Sequence, residues 1–320
     1  AVDGLHVDLD AARQERGEGH DPIVRRNSPL PLGRGRDQPR LRLTAGWQER
    51  EQEIDELRDH VHRDVANLGL YALAEETLAA DRELADALRA RQADAQELQG
   101  IYRQRLTHTL EAAREVMRLD GRREFVREHR QAAIRALRTL DRQHSTRLRR
   151  VHAEFEERWR PAERPSVAAA VERLQEGIAA AEVVAVAGGH VAVLLNRMRL
   201  FRLDELLRDK PVVAWSAGAM ALTERVVLFH DSPPQGPGDA EVLDAGLRRA
   251  RGIVALPHAA KRLDLDDPVR IALMARRFGP DLPAILDEGA EFYWDGERWR
   301  GIDGSRVLKK RGAVGAVRKS

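Results

Sequence analysis

The sequence predicts an interrupted α/β domain with a long inserted α-helical hairpin. Three observations predict it: short apolar strands that end in small-residue turns, helices that follow those turns, and an uninterrupted helical stretch between two such units. The 320-residue chain is 42% hydrophobic, enough to bury a full core, and only 4% aromatic, so that core is expected to be aliphatic.

The first forty residues are polar and scattered with glycine and proline, and they read as a loosely ordered arm (1–39) with a short strand at Leu5–Val7. From Arg40, Leu41 and Leu43 run as a strand into Thr44-Ala45-Gly46. Ile54, Leu57 and Val61 then give Glu49 to His62 helical spacing, and Val65 to Tyr71 reads as a second strand. Residues 40–72 thus open the α/β domain.

Residues 73–160 are read as the helical insertion. Leu84, Leu88, Leu98, Tyr102, Leu106, Leu110 and Met117 recur at helical spacing, and Leu137, Leu140, Leu148, Val151 and Phe155 repeat the pattern beyond Asp120-Gly121. Two helices of about 40 residues, each about 60 Å long, bury both stripes most simply as an antiparallel pair bent at Asp120-Gly121. Pro161 and Pro165 end the stretch.

Residues 161–306 resume the alternation. A helix over Ser166 to Ala180 leads to a strand, Val183–Ala187, that ends in Gly188-Gly189; a helix over His190 to Leu207 follows, then a strand over Pro211–Trp215. Strands near Gly252–Leu256 and Ala284–Leu286 come later. Asp267-Pro268 carries the signature of a capped helix start, and Glu291–Trp294 with Glu297–Arg300 reads as a hairpin across Asp295-Gly296. The basic residues 307–320 read as a frayed tail.

The 54 basic and 52 acidic residues are interleaved, which is the pattern of solvated helix faces and not of a nucleic-acid stripe. The absence of cysteine excludes disulfides, thiolate metal sites and a thiol nucleophile. No apolar run is long enough to span a membrane, and Ala1-Val2-Asp3-Gly4 has neither the basic nor the apolar part of a signal peptide, so the expected location is cytoplasmic. His60, His62 and Asp64 lack a fourth ligand nearby in sequence, and neither a metal nor a cofactor is expected.

The sharpest chemical signal is Val212-Val213-Ala214-Trp215-Ser216-Ala217-Gly218-Ala219-Met220. An apolar strand runs into a serine flanked two residues away on each side by a small residue, and a helix-forming segment follows. That is the layout of a nucleophile elbow, in which larger side chains at 214 and 218 would collide and the hydroxyl is pushed out beside a helix N-terminus. Leu256-Pro257-His258 sets a histidine just past a strand end, and Leu286-Asp287-Glu288-Gly289 does the same for a carboxylate. Serine, histidine and acid fill the three roles of a hydrolytic triad.

With Ala187-Gly188-Gly189 ahead of a helix, and with these motifs in this order, the chain resembles the peptidase E and cyanophycinase family. The likeness covers about residues 183 to 300 and, more loosely, 40 to 71. It implies a doubly wound, mostly parallel sheet of the class I glutamine amidotransferase type. It further implies Ser216 as nucleophile, His258 as base, Glu288 as third member, and the N–H groups of Gly189 and Ala217 as oxyanion hole. Relatives cut dipeptides with N-terminal aspartate or β-aspartyl-arginine chains, so the expected substrate is a small peptide or amide. His190 stands where the family usually has Asn or Asp, and Ala214 where it commonly has Gly. His190, with His230, Asp231 and Gln235 in the stiff polar loop that follows the serine helix, are the candidates to line the substrate site. The alternative is a non-catalytic scaffold of the same fold that uses the helical insertion for protein–protein or homo-oligomer contacts. An ammonia-delivering amidotransferase is disfavoured, because such enzymes place cysteine at the elbow.

Overall fold

The computed structural model describes residues 23–26, 40–43, 65–229, 239–302 and 304–317. The described chain opens with strands β1 (Ile23–Arg26), β2 (Arg40–Leu43) and β3 (Val65–Asn67). Helices α1 (Leu70–Ala80), α2 (Arg82–Arg118), α3 (Arg123–Trp159) and α4 (Pro165–Ala179) follow. Next come β4 (Val184–Val186), α5 (Val191–Leu200), α6 (Leu203–Leu206), β5 (Val212–Trp215), α7 (Ser216–Leu222), β6 (Arg225–Leu228) and β7 (Glu241–Ala245). The last part holds β8 (Ile253–Pro257), α8 (Ala259–Arg262), α9 (Pro268–Arg277), β9 (Leu282–Leu286), β10 (Glu291–Trp294), β11 (Trp299–Gly301), β12 (Arg306–Lys309) and β13 (Ala313–Ala316).

These strands make a mixed α/β fold with three sheets. The largest has the order β11-β10-β1-β5-β4-β2-β3, with β5 at its centre. Strands β3, β2, β4 and β5 run parallel, with Ala185 opposite Val213 and Val186 opposite Ala214. Strand β1 pairs antiparallel with β5 and parallel with β10. Residues 1–39 are expected to be an arm, yet Ile23–Arg26 lies within the sheet; a strand of four residues between polar segments leaves little periodic signal. The expected strand at Leu5–Val7 and the expected helix over Glu49 to His62 lie outside the described residues.

The parallel pair β8 and β9 belongs to a second sheet, β13-β12-β9-β8, and β6 pairs with β7 in a third. The strand leading to Ser216 and the strands leading to His258 and Glu288 are therefore not ladder neighbours. Helix α7 packs between β5 and β8 and joins the two sheets. The segment after β7 runs back along the end of that helix, where Leu247 N–H donates to Ala221 O and Ala250 N–H to Leu222 O, both at 2.8 Å.

Helices α2 and α3, 37 residues each, pack against one another, and their break falls at Asp120-Gly121 as the sequence predicts. Tyr102, Leu106 and Leu110 of α2 and Ile134, Leu137 and Leu140 of α3 share a buried cluster with β7, β8 and α9. Helix α1 begins at Leu70, because Gly69 (φ 61) turns the chain out of β3 earlier than the strand expected to reach Tyr71. Asp267 caps α9 as expected, its Oδ1 accepting from Val269 N–H at 2.8 Å.

Two expectations are corrected near the C-terminus. The tail read as frayed forms β12 and β13, with Val307 and Leu308 buried, because those two apolar residues pack even though basic residues follow them. The turn expected at Asp295-Gly296 alone spans 295–298, because the Asp295 carboxylate accepts from Glu297 N–H and Arg298 N–H at 2.9 Å and stabilises the longer loop.

Candidate active site

Ser216 sits where β5 turns sharply into α7. Trp215 is extended (φ −141, ψ 163), and Ser216 adopts φ 48, a left-handed conformation that costs a non-glycine residue about 1–2 kcal/mol. The chain turns this tightly because its neighbours are small. A Cβ at Gly218 would stand 2.3 Å from Val186 O and 2.6 Å from Ala187 O, so the first turn of α7 presses on the end of β4. A Cβ at Gly188 would stand 2.8 Å from Ser216 Cβ and 2.9 Å from its Oγ. The paired glycines and the serine are thus two halves of one close contact, and Ala214 is fully buried beneath it.

Only 6% of Ser216 is exposed, and among the described residues its hydroxyl has no hydrogen-bond partner. Ala217 lies in the first turn of α7, where a backbone N–H has no intrahelical acceptor. Gly189 follows with φ 103, a value open to glycine. His190 caps α5, its Nδ1 accepting from Val193 N–H at 3.3 Å. It therefore supports the helix that starts at the paired glycines.

His258 and the acidic pair come together at the other sheet. Parallel pairing puts Pro257 beside Leu286, and His258 N–H donates to Leu286 O at 2.9 Å. His258 takes φ 55 and starts α8 half-buried. Asp287 is the acid that is fixed there: its Oδ1 accepts from Ala260 N–H at 3.0 Å, and its Oδ2 lies 3.3 Å from Arg306 Nη2. Glu288 is exposed, and among the described residues nothing hydrogen-bonds its carboxylate. The sequence names Glu288 and passes over Asp287; adjacent acids at a strand end give no spacing signal that separates them. His230, Asp231 and Gln235 lie outside the described residues, as do His60, His62 and Asp64. Among the described residues no group of three or more potential ligands is placed to hold a metal, and no helix is long and apolar enough to cross a membrane.

Behind this end of the molecule, α2 and α3 grip α5, the helix that leaves the glycine turn. Arg91 Nη2 donates to Asn196 Oδ1 at 3.2 Å, and Asn196 Nδ2 donates to Gln92 Oε1 at 3.0 Å. Asp244 of β7 receives Arg199 Nη1 at 2.6 Å and His152 Nε2 at 3.0 Å. Burial alone would raise the Asp244 carboxyl, but these two partners outweigh it and hold it well below the usual range. Burial pushes His152 below its ordinary value despite the bond to Asp244, which acts in the opposite direction.

A second seam joins the helix pair to α9. Arg277, 2% exposed, donates through Nε to Asp141 Oδ2 at 2.7 Å and through Nη2 to Tyr102 Oη at 2.8 Å. Tyr102 Oη also donates to Asp141 Oδ1 at 2.8 Å, and burial pushes its phenol well above the ordinary range. His144 stacks on the Tyr102 ring at 4.0 Å and bonds Gln99 Oε1 at 2.8 Å; burial lowers its pKa.

Residues 141–259 match the model of peptidase family S51. The S51 segment starts within α3, covers the paired glycines, Ser216 and His258, and ends before Asp287 and Glu288. This is the peptidase E and cyanophycinase family that the sequence resembles, matched over little more than a third of the chain. No curated protein and no solved structure matches the chain.

Proposed function

We propose that this protein is a cytoplasmic serine peptidase that cleaves a small peptide or amide, aspartyl or β-aspartyl, through an acyl-enzyme on Ser216. The observation that carries this reading is the left-handed Ser216, held over Gly188 with its hydroxyl unpaired among the described residues. A strained serine in a small-residue turn suits a nucleophile, since an ordinary strand–helix turn needs neither the strain nor the glycine contact.

In the first step Ser216 Oγ attacks the substrate carbonyl carbon while His258 takes the hydroxyl proton. The carbonyl oxygen becomes an oxyanion and accepts hydrogen bonds from Gly189 N–H and Ala217 N–H. Collapse breaks the carbon–nitrogen bond, and the proton on His258 passes to the leaving amine. Water then attacks the acyl carbon while His258 takes its proton, and the ester bond breaks as His258 passes that proton to Ser216 Oγ and the acid is released. Glu288 orients the imidazole and stabilises its cation. Asp287, engaged with Ala260 N–H, instead fixes the turn that carries His258. The finer fold consistent with this reading is a doubly wound, mostly parallel amidotransferase-type sheet into which α2 and α3 are inserted as a hairpin.

Hydrolysis of aspartyl and β-aspartyl dipeptides by the protein and by Ser216→Ala tests the proposal. Turnover should fall at least about 10³-fold in the variant. Full turnover by Ser216→Ala would overturn it.

A further inference from the structure

Where α2 passes into α3, the helix pair and α9 enclose a groove of about 690 Å³. Its α3 wall carries Arg123, Arg127, Arg130, Arg135 and Arg138, most of them spaced to share one helix face. Arg276, in the last turn of α9, and Lys310, just past β12, line it from the other side. Asp120 is the one carboxylate among the described lining residues.

Several arginines elsewhere are paired with acids: Arg103 meets Glu241 at 2.7 Å, Arg173 meets Glu76 at 3.2 Å, and Arg197 meets Glu75 at 2.5 Å. The cations of the groove are not answered in this way. Among the described residues none of them lies within ion-pair distance of a carboxylate. Arg130 donates instead to Leu119 O at 2.9 Å, and Arg138 to Arg276 O at 3.0 Å, bonds that hold the guanidinium groups without neutralising them. Between the charges the lining is aliphatic, from Met117, Val126 and Ile134.

Fixed, uncompensated guanidinium groups attract carboxylates or phosphates. The aliphatic lining adds a demand for apolar groups, and no aromatic ring among the described lining residues offers a base a stacking surface. We propose that this groove docks an acidic peptide segment of a partner protein, with carboxylates against the arginines and aliphatic side chains against Met117, Val126 and Ile134. The surface is separate from the hydrolytic chemistry. Arg276 precedes the start of β9, whereas His258 and Glu288 follow the ends of β8 and β9, so the two sites occupy opposite ends of that strand pair.

Fluorescence anisotropy with a labelled peptide of glutamate and leucine, titrated with the full-length protein, tests the proposal. Saturable binding is expected, falling about tenfold in Arg127→Glu with Arg135→Glu and weakening as salt is raised. A polyglutamate peptide of equal length should bind several-fold more weakly, because it leaves the aliphatic lining unfilled. Both substituted arginines are exposed, so the fold should persist; if the reversal fails to fold, Arg127→Gln with Arg135→Gln should still weaken binding about threefold. Absence of saturable binding, or unchanged binding in the substituted proteins, overturns the proposal. So does equal or tighter binding of inorganic polyphosphate or single-stranded RNA.

Discussion

The turn at Ser216 and the seam between the helix pair and α9 bury polar atoms in opposite ways. At the seam, Arg277, Asp141 and Tyr102 satisfy one another, and Gln99 and His144 do the same, so each polar atom taken from water gains a partner. At the turn, a hydroxyl 6% exposed stands over a glycine with no partner among the described residues, on a backbone in a costly conformation. Saturated burial makes architecture, and here it clamps the helix pair onto the body. The strained, unpaired hydroxyl at the turn is the condition that the proposed nucleophile requires.

Substitutions in the two regions should separate activity from stability. The largest effect is expected from His258→Ala, which should lower turnover about 10³–10⁴-fold while moving the unfolding free energy by less than about 1 kcal/mol. Comparable turnover in this variant would remove the base from the account. The seam should behave in the reverse sense: Asp141→Ala strands a buried guanidinium and should destabilise by about 3–5 kcal/mol in denaturant unfolding, with turnover per folded molecule preserved. Next in size is Gly188→Ala. Its new Cβ would fall 2.8 Å from Ser216 Cβ and push that serine aside, lowering turnover about 10²-fold. A Gly188→Ala enzyme as active as the parent would mean that the glycine contact does not set the serine's position.

The smallest expected effect is a pH dependence confined to the seams. Burial holds His144 and His152 below the ordinary histidine value near 6.5, so the unfolded chain takes up protons first as pH falls. Stability should therefore decrease on acidification from about 6.5 towards the depressed folded values. Asp244, held low, keeps its own contribution throughout that window and loses it only at far lower pH, as its folded value is approached. Unfolding measured from pH 7.5 to 5.0 checks this, and His144→Gln should flatten the slope. A slope of the opposite sign would contradict the burial argument.

The contrast between turn and seam also explains what was legible in the sequence. The Ser216 turn is local: Ala214, Ser216 and Gly218 lie within five residues, and their sizes state the geometry directly. The break at Asp120-Gly121 and the Asp267 cap are local in the same sense. The seam joins Asp141 to Arg277 across most of the C-terminal half, and nothing near either residue announces the other. The division into three sheets was hidden for a similar reason, since strand runs state that strands exist but not which of them pair. At the candidate site, the sequence supplied Ser216, His258 and the acidic pair. It named Glu288, which is exposed at the turn, and passed over Asp287, which is fixed to Ala260 N–H by a contact that adjacent acids in a sequence do not announce.

The central claim is that the Ser216 hydroxyl is a nucleophile, and intact-mass measurement after treatment with a fluorophosphonate tests it most directly. The account predicts a single adduct on the parent protein, mapped to Ser216, and none on Ser216→Ala. An unlabelled parent, or an adduct that persists in Ser216→Ala, would contradict it.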